Sequence, residues 1–332
     1  MSKMRKIILV LCLLSLLVAS VVVQGAPKMN VMLYSSMKDS QLSALQKGFS
    51  KKYPNIVFDY YTAGTGKVLT KLTTEQQAGG ICADLIWVGD PTNYIEFKRQ
   101  GLLMQYVSPE AKTIAPSLKD KDNYFCGARI VGVGIVYNTN LVKGNDIPKD
   151  WDDLFNPRFK SYVCMTDPTF AGTTLYAVAA LTQSEKYGWN FMKKLKANDI
   201  KLVKGSSDAV NKVGAGEYDV SIGVDYIAKD KAKQGSPLNF VYPASGTPLV
   251  TSPVAIVKGT KNLEAAKLLY DYILSLEGQQ VLVDANTTPV RSEIELDIDI
   301  NTIIKNVLPV DDERLIIEKD EMLKKFDELM KK

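Results

Sequence analysis

Histidine is missing from all 332 residues. That excludes His-based triads, His proton shuttles and imidazole zinc sites, and leaves any acid–base work to carboxylates, Lys, Tyr or Cys. Cysteine is scarce. Cys12 lies in the N-terminal apolar run, and Cys82, Cys126 and Cys164 are too widely spaced for a metal knuckle. Three is odd, so at most one disulfide forms; the expectation is small buried apolar residues rather than a bridge. Excess charge is also small. The net charge is +4, part of it from Lys3, Arg5 and Lys6, so no nucleic-acid partner is indicated. There is no fixed-period repeat and no low-complexity linker. What is present is apolar residue, 46% of the chain, enough for two domains with their own cores.

Residues 1–25 read as an export signal. A basic head precedes the apolar run Ile7–Val23, and Val23 and Gly25 supply small residues at the −3 and −1 sites of a cut after Gly25. The run is long enough that an uncleaved membrane anchor is the rival reading. Lipidation at Cys12 is disfavoured because Leu13 and further apolar residues follow. All readings place the folded body outside the cytoplasm, in the periplasm.

Beyond residue 28, strand-like and helix-like stretches alternate: 29–36, 38–54, 55–61, 66–79, 83–89 and 93–103. This predicts a parallel α/β sheet with helices on both faces, and ligands at the carboxyl ends of its strands. "ARIVGVGIVYNTNL" (128–141) reads as a strand passing between lobes. The stretch 238–259 reads as a second extended return, 262–284 as one amphipathic helix and 311–332 as another. The expected division is lobe 1 from 26–127 plus about 245–290, and lobe 2 from 128–244 plus about 291–332.

The chemistry-bearing loops are glycine and hydroxyl turns. "AGTGK" is no P-loop, because Gly64 and Gly66 are one residue apart and Val68 stands where a hydroxyl is needed; Leu69 breaks the Rossmann pattern. What remains is Thr65 and Gly66 opening a helix, either as an anion site or as a plain Thr65 cap. The pattern recurs at Ser35 and Ser36, at Thr169, Gly172 and Thr173, and at Ser206 and Ser207. Asp90, Asp225 and Tyr226 end strands and add oxygen donors. "SSMK" has S-x-x-K spacing, so a secreted serine-type or penicillin-recognising hydrolase using Ser35 and Lys38 is the alternative, although its companion motifs are absent.

The order of "VMLYSSM", "AGTGKVLTKL", "ADLIWVGDP", "GIVYNTNLV", "PKDWDDLFNPRFK", "DPTFAGTT", "GEYDVSIGVDY" and "VYPASGTP" resembles the extracytoplasmic solute-binding proteins of ABC importers. The group is the one usually labelled ferric-iron-binding, which also holds sugar-phosphate and phosphonate receptors. The resemblance implies a type II periplasmic-binding-protein fold, two α/β lobes joined by crossing strands. It also implies an ABC permease and ATPase in the inner membrane as partners, a monomer, and no catalysis or cofactor. Iron-binding members use adjacent tyrosines; here the pair reads Asp225–Tyr226, so those would be the metal ligands for Fe³⁺. Lys38 in the first loop favours phosphate instead. Both cargoes, ferric iron and an organophosphate or phosphonate, stay open.

Overall fold

The structure, a computed structural model, describes residues 28–296 and 306–331; residues 1–25, read above as an export signal, lie outside them. The chain begins with β1 (Met29–Ser35), α1 (Asp39–Lys52), β2 (Ile56–Thr62), α2 (Thr65–Gln77), β3 (Leu85–Trp87), α3 (Thr92–Arg99) and β4 (Cys126–Gly127). The middle holds β5 (Val131–Asn138), β6 (Val163–Thr166), α4 (Gly172–Gln183), α5 (Gly188–Ala197), β7 (Lys201–Val203), α6 (Ser206–Gly214), β8 (Val220–Val224), α7 (Asp225–Lys233), β9 (Leu238–Val241) and β10 (Leu249–Val250). Then follow β11 (Pro253–Ile256), α8 (Leu263–Leu274), α9 (Leu276–Asp284) and α10 (Asp312–Met330).

Two sheets result. One has the order β2-β1-β3-β11-β4; the other runs β10-β5-β8-β6-β7, with β9 also paired to β5. Period-2 alternation sets the faces of the first. Val31, Leu33, Leu85 and Trp87 join Leu42, Phe49 and Leu269 in one core, while Tyr34, Ile86 and Val88 face Val68 and Leu72 in another. In the second sheet all eight residues of β5 are buried, as expected of a strand covered on both faces.

The sheets are mixed rather than wholly parallel. β1, β2 and β3 run parallel, as do β6, β7 and β8, but β5 opposes β8 and β11 opposes β3 and β4. Both exceptions are strands that enter a sheet directly from the other lobe, with no crossover helix to reverse them. The two crossings lie side by side: Gly127 pairs with Pro253, Val131 with Val250, and the Ala128 N–H donates to the Ser252 carbonyl. This is the two-lobe type II architecture, and paired crossing strands are where such lobes hinge. The stretch 262–284 forms two helices, because Ser275 stops one and its hydroxyl caps the next by accepting from the Gly278 N–H. Cys126 and Cys164 are buried free thiols, whereas Cys82 is exposed, so the expectation of burial fails there.

α10 belongs to the second core through Leu315, Met322, Phe326 and Met330, yet it also straps the first lobe. Lys319 Nζ reaches the Asp90 carboxylate at 3.1 Å and the Asn93 side chain at 3.3 Å, and Arg99 pairs with Glu313. Asp312 opens this helix. Burial pushes its carboxyl up to about 6, helped by the charges of Asp90, Asp311 and Glu313 and opposed by a hydrogen bond from Tyr176. A raised carboxyl stabilises the fold fully below its unfolded value near 4 and loses that contribution as pH rises through about 6. Asp312→Asn should therefore gain about 1–2 kcal/mol over the parent at pH 8 and almost nothing at pH 4, the full shift being reduced for partial solvent screening. Thermal melts at both pH values test this; an equal change at both would sink it.

Candidate functional site

Loops from the carboxyl ends of β1, β2, β6, β7 and β8 meet in an inter-lobe cleft of about 310 Å³. A larger hollow, about 1000 Å³, opens between α3, residues 117–125 and the start of α10. Much of its charge is already matched, Lys98 by Asp120 and Asp122, and Arg99 by Glu313. The smaller cleft is where donors stand without partners.

Three helices point their N-termini into it, through Thr65 of α2, Gly172 and Thr173 of α4, and Ser206 and Ser207 of α6. Their N-cap residues are Gly64, Ala171 and Gly205, none of which makes a side-chain cap. The hydroxyl residues sit inside the first turn, one or two positions too late to cap. The first N–H groups of each helix thus have no side-chain cap.

Three cations line the same space: Arg129, Lys38 and Lys204. No Asp or Glu is among the lining residues. Arg129 is only 2% exposed. Its Nε donates to Ser252 Oγ at 3.3 Å and its Nη1 to Gln41 Oε1 at 3.2 Å; Nη2 donates to no described residue, and no carboxylate pairs with the group. Its guanidinium lies 5.1 Å from the centre of the Tyr226 ring, and Lys38 Nζ lies 5.5 Å from the same centre. Lys38 reaches across the lobes to Asp230 at 3.2 Å. Burial lowers the Lys38 pKa, and Asp230 opposes that effect.

Of the residues singled out from sequence, Ser36, Lys38, Thr65, Gly172, Thr173, Ser206, Ser207 and Tyr226 line the cleft together. The others stand outside it. Ser35 is fully buried under the cleft floor, donating to the Trp87 carbonyl and accepting from the Met37 N–H. With Lys38 bound to Asp230, the two form no nucleophile–base pair, and Ser35 ends a strand rather than opening a helix. Gly66 faces the Thr169 carbonyl, and Thr169 is turned onto Asp167. Asp90 holds Thr92 and Lys319. Asp225 points back toward β5: it accepts from its neighbour's N–H and from the Tyr242 hydroxyl, and burial raises its pKa. Thr65 does not act as an N-cap; it lies within α2. Arg129 and Lys204 are cleft residues that the hydroxyl pattern did not reveal. A lone cation in the apolar crossing strand was the available signal for Arg129.

Residues 82–325 match the family model described as bacterial extracellular solute-binding protein. Among solved structures, the periplasmic binding protein AfuA from Actinobacillus pleuropneumoniae, with fructose-6-phosphate bound, is 26% identical, with 91% of this chain and 98% of that one covered and a TM-score of 0.81. Among curated proteins, the spermidine/putrescine-binding periplasmic protein 1 of Haemophilus influenzae is 28% identical over 73% of each chain. The major ferric iron-binding protein of Neisseria meningitidis serogroup B is 30% identical over 49% of each. Fold, cleft and family match agree: this chain belongs to the bacterial extracellular solute-binding proteins, the substrate-capturing components of ABC transporters.

Proposed function

We propose that the protein is a periplasmic receptor that closes on a small phosphoryl or phosphonyl anion and delivers it, as a monomer, to an ABC permease and its ATPase. The observation that carries the reading is the cleft's charge balance: three cations, three uncapped helix N-termini and no lining carboxylate. It is a receptor and not an enzyme on this reading, which the separate commitments of Ser35 to the Trp87 carbonyl and of Lys38 to Asp230 support. A polyamine would be repelled by the same cations. Ferric iron, the cargo named for some relatives, would find one phenol, Tyr226, with Asp225 turned away and three positive charges around it, an unsuitable set for a hard trivalent cation.

Thermal shift tests the choice. At a thousand times its dissociation constant a bound anion should add about 4 kcal/mol to stability, and ferric citrate and spermidine should add nothing. Stabilisation by ferric citrate with a visible phenolate colour, and none by phosphate esters, phosphonates or pyrophosphate, would reverse the assignment.

A further inference from the structure

α10 is an arm of the second lobe that grips the first. Leu315, Met322, Phe326 and Met330 seat it in the second core. Its C-terminal end is tied down there as well: Lys331 Nζ stands 2.8 Å from the Asp167 carboxylate, and Lys196 Nζ donates to the Met330 carbonyl at 2.9 Å. At its start the Asp311 N–H donates to Gln183 Oε1 at 2.7 Å. A helix fastened at both ends and along one face travels with its lobe as one body.

Lys319, on the same helix, crosses to Asp90 of the first lobe. The pair is 3.1 Å apart, with the side chains 23% and 2% exposed. Asp90 is already fixed by its own loop: Oδ1 accepts from the Thr92 N–H and hydroxyl, which leaves Oδ2 for Lys319. Among the described residues no other cation pairs with Asp90. A carboxylate this deeply covered relies on its counter-charge far more than a surface one does. The other ion pair from the first lobe onto α10, Arg99–Glu313, is over half exposed on both sides and adds almost nothing. Lys38–Asp230 joins the lobes too, but Lys38 lines the cleft and belongs to the ligand site, whereas Lys319 does not line it. Asp90 also stands at the seam between the lobes, its Cβ 3.0 Å from where a Cβ on Gly172 would lie. Parting the lobes there takes Asp90 away from Lys319.

We propose that Lys319 and Asp90 form a latch. Through this one ion pair α10 stabilises the shut arrangement of the lobes and sets the fraction of the protein that is closed before a ligand enters. A ligand that needs the closed form binds with an apparent affinity scaled by that fraction, so the latch tunes capture from outside the cleft.

Spin-label distance measurement by pulsed electron resonance tests this with no ligand added, so the result is independent of the cargo. Cys82 is the exposed free thiol of the first lobe, and Cys126 and Cys164 are buried. One introduced cysteine, Lys160→Cys, at an exposed position beside Phe159 of the second core, completes the labelled pair. In this parent a short and a long distance should both be populated. Lys319→Met should lower the ratio of short to long about tenfold, while Lys319→Arg and Arg99→Met should each stay within about twofold of the parent. Asp90→Asn breaks the same pair from the other lobe, keeps the acceptor for Thr92, and should open the protein as Lys319→Met does; it carries the test if Lys319→Met folds poorly. A distribution that neither Lys319→Met nor Asp90→Asn changes would overturn the latch. So would a parent showing only the long distance, or an equal shift in Arg99→Met.

Discussion

Arg129→Met should weaken binding of the proposed phosphoryl anion by about 100-fold to 1000-fold and leave the unliganded protein as stable as its parent to within about 1 kcal/mol. The first half follows from where the guanidinium sits. It is 2% exposed, its Nη2 donates to no described residue, and it has no carboxylate partner. A hydrogen bond to a charged group contributes about 1.5–3 kcal/mol, and removing one member of a desolvated charge pair costs about 2–5 kcal/mol. About 3–4 kcal/mol is two to three powers of ten in affinity. The second half follows from the cost of the cation before ligand arrives. A buried charge without a counter-charge is unfavourable, and only two neutral acceptors and the face of Tyr226 offset it. Methionine matches its apolar stem in length and removes that burden, at the expense of the donors to Gln41 Oε1 and Ser252 Oγ. Lys38→Met is the contrast. Lys38 already has Asp230, with 21% and 30% of the two side chains exposed, so its loss should weaken binding by only about tenfold. Titration calorimetry and melts of both variants decide the matter. Parent-like affinity in Arg129→Met would remove the guanidinium from the site.

The hydroxyl turns were legible in the sequence because helix starts are written in small polar residues. Ser206, Ser207, Gly172 and Thr173 needed only local chemistry to find. Register is what the pattern could not supply. Val31, Leu33 and Ser35 share one face of β1, so Ser35 goes inward and Ser36, the next residue, meets the cleft. The same one-residue distinction turns Asp225 onto Tyr242 and puts Tyr226 in the cleft. Nothing in the alternation of polar and apolar residues says where a strand stops and its twist hands over to a helix. The α/β class and both lobe crossings could be read from apolar runs and glycine punctuation. The antiparallel entry of β5 and β11 could not, since a strand's direction in a sheet depends on which lobe its predecessor occupies. Arg129 lacked a periodic signal of any kind. Its meaning comes from Ser252, Gln41 and Tyr226, all of them distant from Arg129 in sequence.

Gly172→Val should leave each lobe intact and prevent the cleft from shutting, weakening ligand binding by about tenfold to hundredfold. A seam of glycines faces across the lobes. A Cβ on Gly172 would stand 3.0 Å from Asp90 Cβ and 3.2 Å from Thr65 Oγ1; on Gly64, 3.0 Å from the Phe170 carbonyl; on Gly66, 3.2 Å from the Thr169 carbonyl. The opposing groups are backbone or buried side chains, which cannot swing aside. Gly172 does not adopt a left-handed conformation, so a side chain there adds no local backbone strain of that kind; the obstacle is the other lobe. Overpacking of about 1–3 kcal/mol then falls on the closed state alone and appears as lost affinity. X-ray scattering gives a second reading, because the variant saturated with ligand should keep the larger radius of its unliganded form while the parent contracts. Gly278→Ala is the control for simple damage. Its Cβ would meet the Tyr272 carbonyl at 1.9 Å within a single lobe, so it should lower the melting temperature. A Gly172→Val protein that contracts with ligand and binds like its parent would show that the seam does not govern closure, and that the contacts now seen between Gly172, Thr65 and Asp90 are incidental to capture.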